Sequence, residues 1–156
     1  MRIHENVRLQ GARGENMERA LIDTGAEISV MPLSVATNIG AWRTNQQTNI
    51  VGIFGQARML PIIVANLYFP SLNNVGGQFA FAMSDMEQEF IVGIDILKPL
   101  GINIDTKTHQ LSIKNEIWEA FKTLAGVGVL VFGGLKLLEA LSKRDDKTNK
   151  ETGHKL

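Results

Sequence analysis

The chain has 156 residues, of which 44% are hydrophobic and 21% charged, and this composition suits one domain of ordinary size with a buried core and an appendage. The 16 basic and 16 acidic residues give a formal net charge of zero, which argues against a dedicated nucleic-acid-binding protein with a basic surface. The absence of cysteine excludes disulfides, thiolate nucleophiles and cysteine-ligated zinc.

The chain begins with short strands separated by turns. Residues 6–10 alternate polar and apolar side chains, as a half-buried strand does, and residues 17–22 are predicted as the strand that returns after a turn. The second strand leads into Asp23-Thr24-Gly25, a loop that a glycine ends, and residues 27–31 are predicted as the next strand.

A short helix and a hairpin follow. The helix is predicted over residues 32–40, because Pro32 suits its first turn and Gly40 suits the position just past its end. Residues 50–60 contain glycines among apolar residues, which predicts a β-hairpin with a flexible tip.

The remaining elements before residue 115 are again short. Strands are predicted at 62–69, 78–83 and 89–93, a short helix at 95–100, and a closing hairpin of strands at 102–104 and 110–114. Many short strands with regular turns favour a mainly β fold, either a small barrel or a sandwich. Residues 1–115 are therefore predicted to form one domain.

One motif in this domain is a candidate for chemistry. The segment Leu21-Ile22-Asp23-Thr24-Gly25-Ala26 places a carboxylate on a tight loop just past a buried strand. The glycine permits the backbone geometry of the loop, the threonine hydroxyl is available for hydrogen bonds that hold it, and the alanine leaves the approach to the carboxylate open. Asp and Gly are also ordinary turn formers, so the motif alone does not identify a catalyst.

A second motif, Ile91-Val92-Gly93-Ile94-Asp95-Ile96-Leu97, changes this interpretation. Together the two segments resemble the retropepsin family, which comprises the retroviral aspartic proteases and their cellular and bacterial relatives. The family pattern is an apolar pair with Asp-Thr-Gly-Ala, a glycine-containing flap, and then an apolar pair, Gly, any residue, Asp or Asn, and another apolar pair. The resemblance covers residues 3–114 and implies a single-lobe, retropepsin-like acid protease barrel with short helices.

The resemblance implies an aspartic-type endopeptidase, in which two carboxylates share a proton around one water molecule. Held a few ångströms apart, the two groups cannot both ionise, so one acts as general base toward the water and the other donates to the scissile carbonyl. Two-lobed relatives carry two such loops, whereas this chain has one. The second carboxylate is therefore expected to be Asp23 of another copy, which makes the active enzyme a homodimer. Its substrate would be an extended polypeptide.

Four residues are expected to support the catalytic loop in this interpretation. They are the three that follow the catalytic aspartate, Thr24, Gly25 and Ala26, together with Asp95. The family has Asp or Asn at the position of Asp95, and Asn could not replace a catalytic carboxylate. Asp95 is therefore expected to be an N-cap or a hydrogen-bonding anchor beneath the loop.

The hairpin at residues 50–60 matches the flap of the family. Gly52, Ile53, Phe54 and Gly55 would form a flap tip that closes over the substrate. An ordinary hairpin fits the same residues, and both interpretations stay open.

Neither a metal site nor a cofactor is predicted. The three histidines, His4, His109 and His154, are scattered, and none forms a metal-ligand or Ser/His/Asp pattern with its sequence neighbours. The acidic run at residues 85–89 lacks the ligand spacing of a calcium loop, so a solvated turn is the simpler account of it.

The chain ends in an apolar segment and a polar tail. The apolar segment begins at Ile117 and ends at Leu141, and residues 116–141 are predicted to form a helix that reaches a membrane-spanning length. A membrane anchor and a helix packed on a partner both fit this composition. The tail, residues 142–156, is predicted to be disordered. No signal-peptide-like stretch occurs at the N-terminus, so a membrane-anchored location and a cytoplasmic one both stay open.

Two functions from different classes follow. The first is a homodimeric aspartic endopeptidase. The second keeps the fold without the activity, as a catalytically inactive, retropepsin-like dimeric interaction module tethered to a membrane. The intact Asp23-Thr24-Gly25 favours the enzyme, because a binding module has no need of a bare carboxylate at this place.

Overall fold

The strands of the protein form a sheet that closes on itself, in a computed structural model that describes residues 2–52, 55–86, 88–114, 116 and 119. The strands of this sheet are β1 (Ile3–Gly11), β2 (Gly14–Ile22), β3 (Val30–Pro32), β4 (Trp42–Val51), β5 (Ala57–Phe69), β6 (Val75–Ser84) and β7 (Phe90–Val92). Two helices, a 3₁₀ turn and a separate hairpin complete the described part: α1 (Leu33–Ile39), α2 (Ile94–Leu97), Pro70–Leu72, and the strands β8 (Ile102–Asp105) and β9 (Gln110–Ile113).

The closure depends on β5, which shares one of its edges between two strands. The sheet has the order β1-β2-β7-β3-β6-β5-β4, and an additional pairing joins β1 to β5. On the shared edge, β4 pairs with β5 as far as Val64, and β1 pairs with β5 over residues 66–68. Six strands therefore form a barrel, and β4 lies outside the ring as an edge strand. The predicted mainly β barrel is confirmed.

Alternating apolar side chains fill the barrel. Val7 and Leu9 of β1 are fully buried, as are Leu67 and Phe69 of β5, and they belong to one continuous hydrophobic cluster. Burial of such side chains is the main favourable term in folding. The core therefore fixes the strands rigidly, and the chemistry-bearing loops lie at their ends.

The helix α1 ends as its sequence predicts. Pro32 directly precedes the first helical residue, and Gly40 caps the last turn with a left-handed backbone (φ 66°) that favours glycine. The N–H of Gly40 donates to the carbonyl of Thr37 at 3.2 Å, which satisfies an otherwise unpaired group at the helix end.

Several predicted boundaries are wrong by three residues or more. Strand β3 begins at Val30 rather than at 27, because the preceding residues serve the loop after Asp23. Strand β4 extends back to Trp42, whereas the sequence predicted a hairpin only from residue 50. As an edge strand with mostly exposed residues, β4 has no apolar alternation to reveal it. Helix α2 ends at Leu97 instead of at residue 100.

The predicted apolar helix and tail lie outside the described residues, except for Glu116 and Glu119. They stay predictions. In the part of the chain that the structure describes, no helix combines the length and the apolar character needed to cross a membrane.

Candidate active site

Asp23 directly follows the buried end of β2. The last residue of that strand, Ile22, is 4% exposed and pairs in parallel with Val92 of β7. The N–H of Asp23 donates to the carbonyl of Val92 at 3.0 Å. The chain leaves the sheet at this point, so the carboxylate lies at the end of two parallel strands and is half-buried.

The backbone of the loop orients the carboxylate. The N–H of Gly25 donates to Oδ1 of Asp23 at 2.9 Å, and the N–H of Ala26 donates to the carbonyl of Asp23 at 3.2 Å. Thr24 is exposed, and within the described residues of this single chain its hydroxyl makes no hydrogen bond. The loop therefore holds Asp23 through backbone groups, which a side-chain substitution elsewhere would not remove.

The second sequence motif is in direct contact with this loop. The N–H of Ile94 donates to the carbonyl of Ala26 at 2.9 Å. A Cβ atom placed on Gly93 would lie 2.5 Å from that same carbonyl oxygen, closer than atoms in contact can be. Gly93 is thus required because the two backbone segments approach so closely.

Ser29 and Asp95 form a hydrogen-bonded network beneath the loop. The Ser29 hydroxyl donates to Oδ1 of Asp95 at 2.6 Å, and the Ser29 N–H donates to Oδ2 at 2.9 Å. The N–H of Gly93 donates in turn to the Ser29 hydroxyl oxygen at 2.9 Å. Asp95 therefore ties the end of the Asp23 loop to α2, and its role in supporting the catalytic loop stays a prediction.

Both oxygens of Asp95 accept hydrogen bonds from Ser29, an arrangement that suits a carboxylate. Burial acts in the opposite direction and raises the pKa of Asp95 above its ordinary value of 3.8, while the donors of Ser29 partly offset this shift. Asp95 is thus a partly buried acid whose two oxygens accept hydrogen bonds from one residue, Ser29.

Asp23 and Thr24 line an open cleft of about 450 Å³. Its other walls come from the ends of β1 and β2, from α2 and from the β8–β9 region, and the cations Lys98 and Lys114 are among the lining residues. The cleft has mixed polar and apolar walls, as ligand sites generally do.

The predicted flap residues lie at the turn between β4 and β5. The N–H of Gly52 donates to the carbonyl of Gln56 at 2.9 Å, and the N–H of Gly55 donates to the carbonyl of Gly52 at 2.9 Å. Gly55 has a φ of 74°, which favours glycine. Ile53 and Phe54 lie outside the described residues. The hairpin is thus where the sequence predicts it, and its role as a flap stays a prediction.

An apolar cluster joins this hairpin to the loop region. Its buried members, Val30, Leu60 and Ala82, come from β3, β5 and β6. Three partly buried isoleucines pack against them: Ile28, Ile50 and Ile91. This cluster is separate from the core of the barrel and lies between the Asp23 loop, the hairpin and β7.

Comparison with known proteins supports one fold. No family profile matches the chain. A curated relative, "Protein DDI1 homolog" from Leishmania major, is 31% identical over 106 residues, which cover 62% of this chain. The chain spans only 25% of the length of that relative.

Two solved structures are similar over most of the described chain. One is the retroviral protease-like domain of Ddi1 from Leishmania major, with a TM-score of 0.54 and 21% identity over 74% of this chain and 90% of that domain. The other is the EIAV protease in complex with an inhibitor, with a TM-score of 0.51 and 22% identity over 67% of this chain and 93% of that protease. The fold is that of the retropepsin-like proteases. The resemblance of the two sequence motifs to this family is therefore confirmed at the level of the fold.

Within the retropepsin-like fold, sequence reasoning missed Ser29. This residue is fully buried, and its side chain joins Gly93 to Asp95. A serine six positions after an aspartate has no periodic or motif signal of its own. Only the contact between the two motifs, 66 residues apart at Ser29 and Asp95, reveals its place.

Sequence reasoning also missed the apolar cluster, because its members come from five separate segments of the chain.

The sequence predicts no metal site. Over the described ranges, no group of three or more His, Asp or Glu side chains could hold a metal ion.

Proposed function

We propose that the protein is an aspartic-type endopeptidase, active as a homodimer in which two copies of Asp23 share one water molecule. The observation that carries this proposal is the place of Asp23: a half-buried carboxylate, oriented by the Gly25 N–H, in an open cleft of a retropepsin-like barrel. The described chain has a single such loop, so a second copy must supply the second carboxylate.

The two carboxylates would have different tasks in the reaction. One, ionised, takes a proton from the water that attacks the scissile carbonyl. The other, protonated, donates to the carbonyl oxygen as it gains charge. A single proton shared by the pair meets both needs, and the pair titrates as a unit. Activity should therefore have an optimum in acid and fall on both sides of it.

The substrate would be an extended polypeptide with apolar side chains near the scissile bond. Ile28, Ile50 and Ile91 are partly buried and leave apolar surface beside the Asp23 loop. Burial of apolar surface favours an apolar side chain at this place. The likeness to the EIAV protease and to a retroviral protease-like domain is consistent with a peptide substrate.

Peptide cleavage by the purified chain, with and without Asp23→Asn, tests the mechanism. We expect cleavage of fluorogenic peptides in acid, and a loss of about a thousandfold or more in kcat for the variant, because Asn can neither accept nor carry the shared proton. Glu27→Gln, which neutralises an exposed carboxylate four positions away, is the matched control and should retain activity. Cleavage that survives Asp23→Asn would exclude the proposed chemistry.

Dilution tests the homodimer. For two half-sites that assemble, the rate per chain should fall as the protein is diluted below the dissociation constant of the dimer. Mixing wild-type chain with a growing excess of Asp23→Asn should also inhibit, because mixed dimers carry one carboxylate. A rate per chain that is constant at every dilution would argue against two chains sharing one site.

An inactive interaction module is the second candidate. It would share the dimer and the affinity for extended peptides but would not cleave them, so binding without cleavage in the same assay would favour it. Attachment to a membrane through the segment from Ile117 to Leu141 is a prediction from sequence. Removing residues 117–156 should abolish partitioning into vesicles if the segment is an anchor.

A further inference from the structure

The β4–β5 hairpin extends past the barrel at a fork in the sheet. Strand β5 pairs with β6 from Ile62, which lies opposite Ala82, but residues 57–61 pair with β4 alone. Ala82, Met83 and Ser84 pair with β3. Beyond Ala82, strand β6 therefore no longer pairs with β5. We call residues 47–51 and 57–61 the projecting hairpin. One edge of its β5 half has no neighbouring strand among the described residues.

An ion pair crosses this fork. Arg58, on the projecting hairpin, donates from Nη2 to Oδ1 of Asp85 at 3.3 Å. Asp85 directly follows the end of β6, so it belongs to the barrel side of the fork. The two side chains are 44% and 69% exposed. The ion pair therefore joins the projecting hairpin to the barrel beyond the last pair of β5 and β6.

The projecting hairpin packs next to the candidate active site. Ile50 and Leu60 belong to the apolar cluster that also contains Ile91. Ile91 directly precedes Val92, whose carbonyl accepts the N–H of Asp23. A change in the angle of the hairpin therefore changes the space beside the Asp23 loop.

We propose that the Arg58–Asp85 ion pair is a positioning contact that holds the projecting hairpin against the barrel and thereby sets the affinity for the peptide substrate. This inference rests on the proposed function. Exposed ion pairs contribute little to overall stability, so breaking this one leaves the fold intact and acts on the hairpin. Neither residue touches the reacting atoms, and KM rather than kcat is therefore the quantity that changes.

Neutralising and exchanging the two charges tests the contact. Asp85→Asn is expected to raise KM by about two- to fivefold and to leave kcat unchanged. This factor corresponds to the usual free-energy contribution of an exposed ion pair. Arg58→Asp alone is expected to do the same or more, and the double variant Arg58→Asp with Asp85→Arg should return KM to within about twofold of wild type. Added salt should raise KM of the wild type and leave KM of Asp85→Asn almost unchanged, because screening weakens an ion pair between exposed groups.

Glu15→Gln is the matched control. It also breaks a surface ion pair, between the exposed Glu15 and the partly exposed Arg8 at 3.4 Å, but on the β1–β2 hairpin. Its KM should equal that of the wild type. Equal increases of KM in Asp85→Asn and Glu15→Gln would overturn the proposal, since they would report a general effect of charge. So would a double variant that fails to recover.

Hydrogen exchange separates this proposal from the proposed function, because it needs no activity. Asp85→Asn should speed amide exchange in residues 47–51 and 57–61, and the double variant should slow it again. Unchanged exchange with unchanged KM in an active enzyme overturns the positioning contact alone. A chain that cleaves no peptide under any condition overturns the endopeptidase and the link to substrate affinity, whatever the exchange shows.

Discussion

The Asp23 loop and the projecting hairpin lie close together, yet they are held in opposite ways. The loop is tied to β7 and α2 by backbone hydrogen bonds and by the network of the buried Ser29 and the partly buried Asp95. Among the described residues, the two strands of the projecting hairpin pair only with each other, and an exposed ion pair joins the hairpin to the barrel. Buried, fully satisfied networks are rigid, whereas exposed contacts exchange readily with water.

This difference fits the two tasks that the proposed function assigns. A carboxylate that shares a proton across a dimer must be held in a fixed position, because a small displacement of the reacting groups lowers the reaction rate strongly. A hairpin that admits an extended peptide must move to let the peptide enter and then move back to its original position. Substitutions in the two regions should therefore differ in size and in kind.

The largest effect is expected where the two motifs meet. Gly93 has φ and ψ values, −100° and −173°, that any residue adopts, so Gly93→Ala has no conformational cost. Its Cβ would nevertheless lie 2.5 Å from the carbonyl oxygen of Ala26. We expect a loss of about 3 kcal/mol in the free energy of unfolding, because backbone must move to admit the methyl group. Denaturant unfolding measures it, and a loss below about 0.5 kcal/mol would contradict the close approach.

The next effect concerns Asp95 and depends on pH. Asp95→Asn replaces an oxygen that accepts a hydrogen bond from Ser29 by an amide nitrogen that cannot accept one, which should cost about 2 kcal/mol. Burial raises the folded pKa of Asp95 above the unfolded value of 3.8, so between these values the folded protein holds the extra proton. This contribution to stability is present below pH 3.8 and is lost as the pH rises through the folded pKa. The stability gap between wild type and variant should therefore narrow as the pH rises.

Asp105→Asn is the control with the opposite sign. The backbone N–H of Lys107 donates to the Asp105 carboxylate and lowers its pKa below 3.8. Its contribution is therefore present above pH 3.8 and is lost as the pH falls through the folded pKa. Unfolding curves measured from pH 3 to pH 7 compare the two variants. Parallel curves for wild type and Asp95→Asn would contradict the shift at Asp95.

The smallest effects are expected at the turn of the hairpin. Gly55→Ala should cost about 1 kcal/mol, because alanine is strained at a φ of 74° although nothing lies within 4 Å of the new methyl group. Gly52→Ala should change stability by less than about 0.5 kcal/mol, since its nearest neighbour would lie at an ordinary 3.7 Å. Thermal unfolding ranks the pair. A cost at Gly52 equal to that at Gly93 would remove the contrast between the two regions.

The sequence predicted those features of the molecule that require a particular residue type at a particular position for a known physical reason. Gly40 marks the end of α1 because a left-handed cap favours glycine, and Asp23 and Asp95 stand in motifs whose spacing the fold brings together. The edge strand β4 was largely missed, because polar residues on both of its faces give no periodic signal.

Ser29 was missed for a different reason. Its structural role depends on hydrogen bonds to partners 64 and 66 residues away, Gly93 and Asp95. No sequence pattern near Ser29 indicates those contacts. The apolar cluster around Ile50 and Ile91 was hidden in the same way. Sequence patterns thus predict local features such as caps and motifs. The contacts between distant segments become apparent only in the closed barrel.

The distance between the two motifs along the chain has a consequence for biosynthesis. Asp23 is synthesised before the strand and the hydrogen-bonding groups that hold its loop, which follow about 70 residues later, at Val92, Gly93 and Asp95. A growing polypeptide therefore carries the acidic motif on an unsupported loop until nearly all of the described domain has been translated. The loop can therefore adopt the arrangement described above only after Val92, Gly93 and Asp95 have joined the fold.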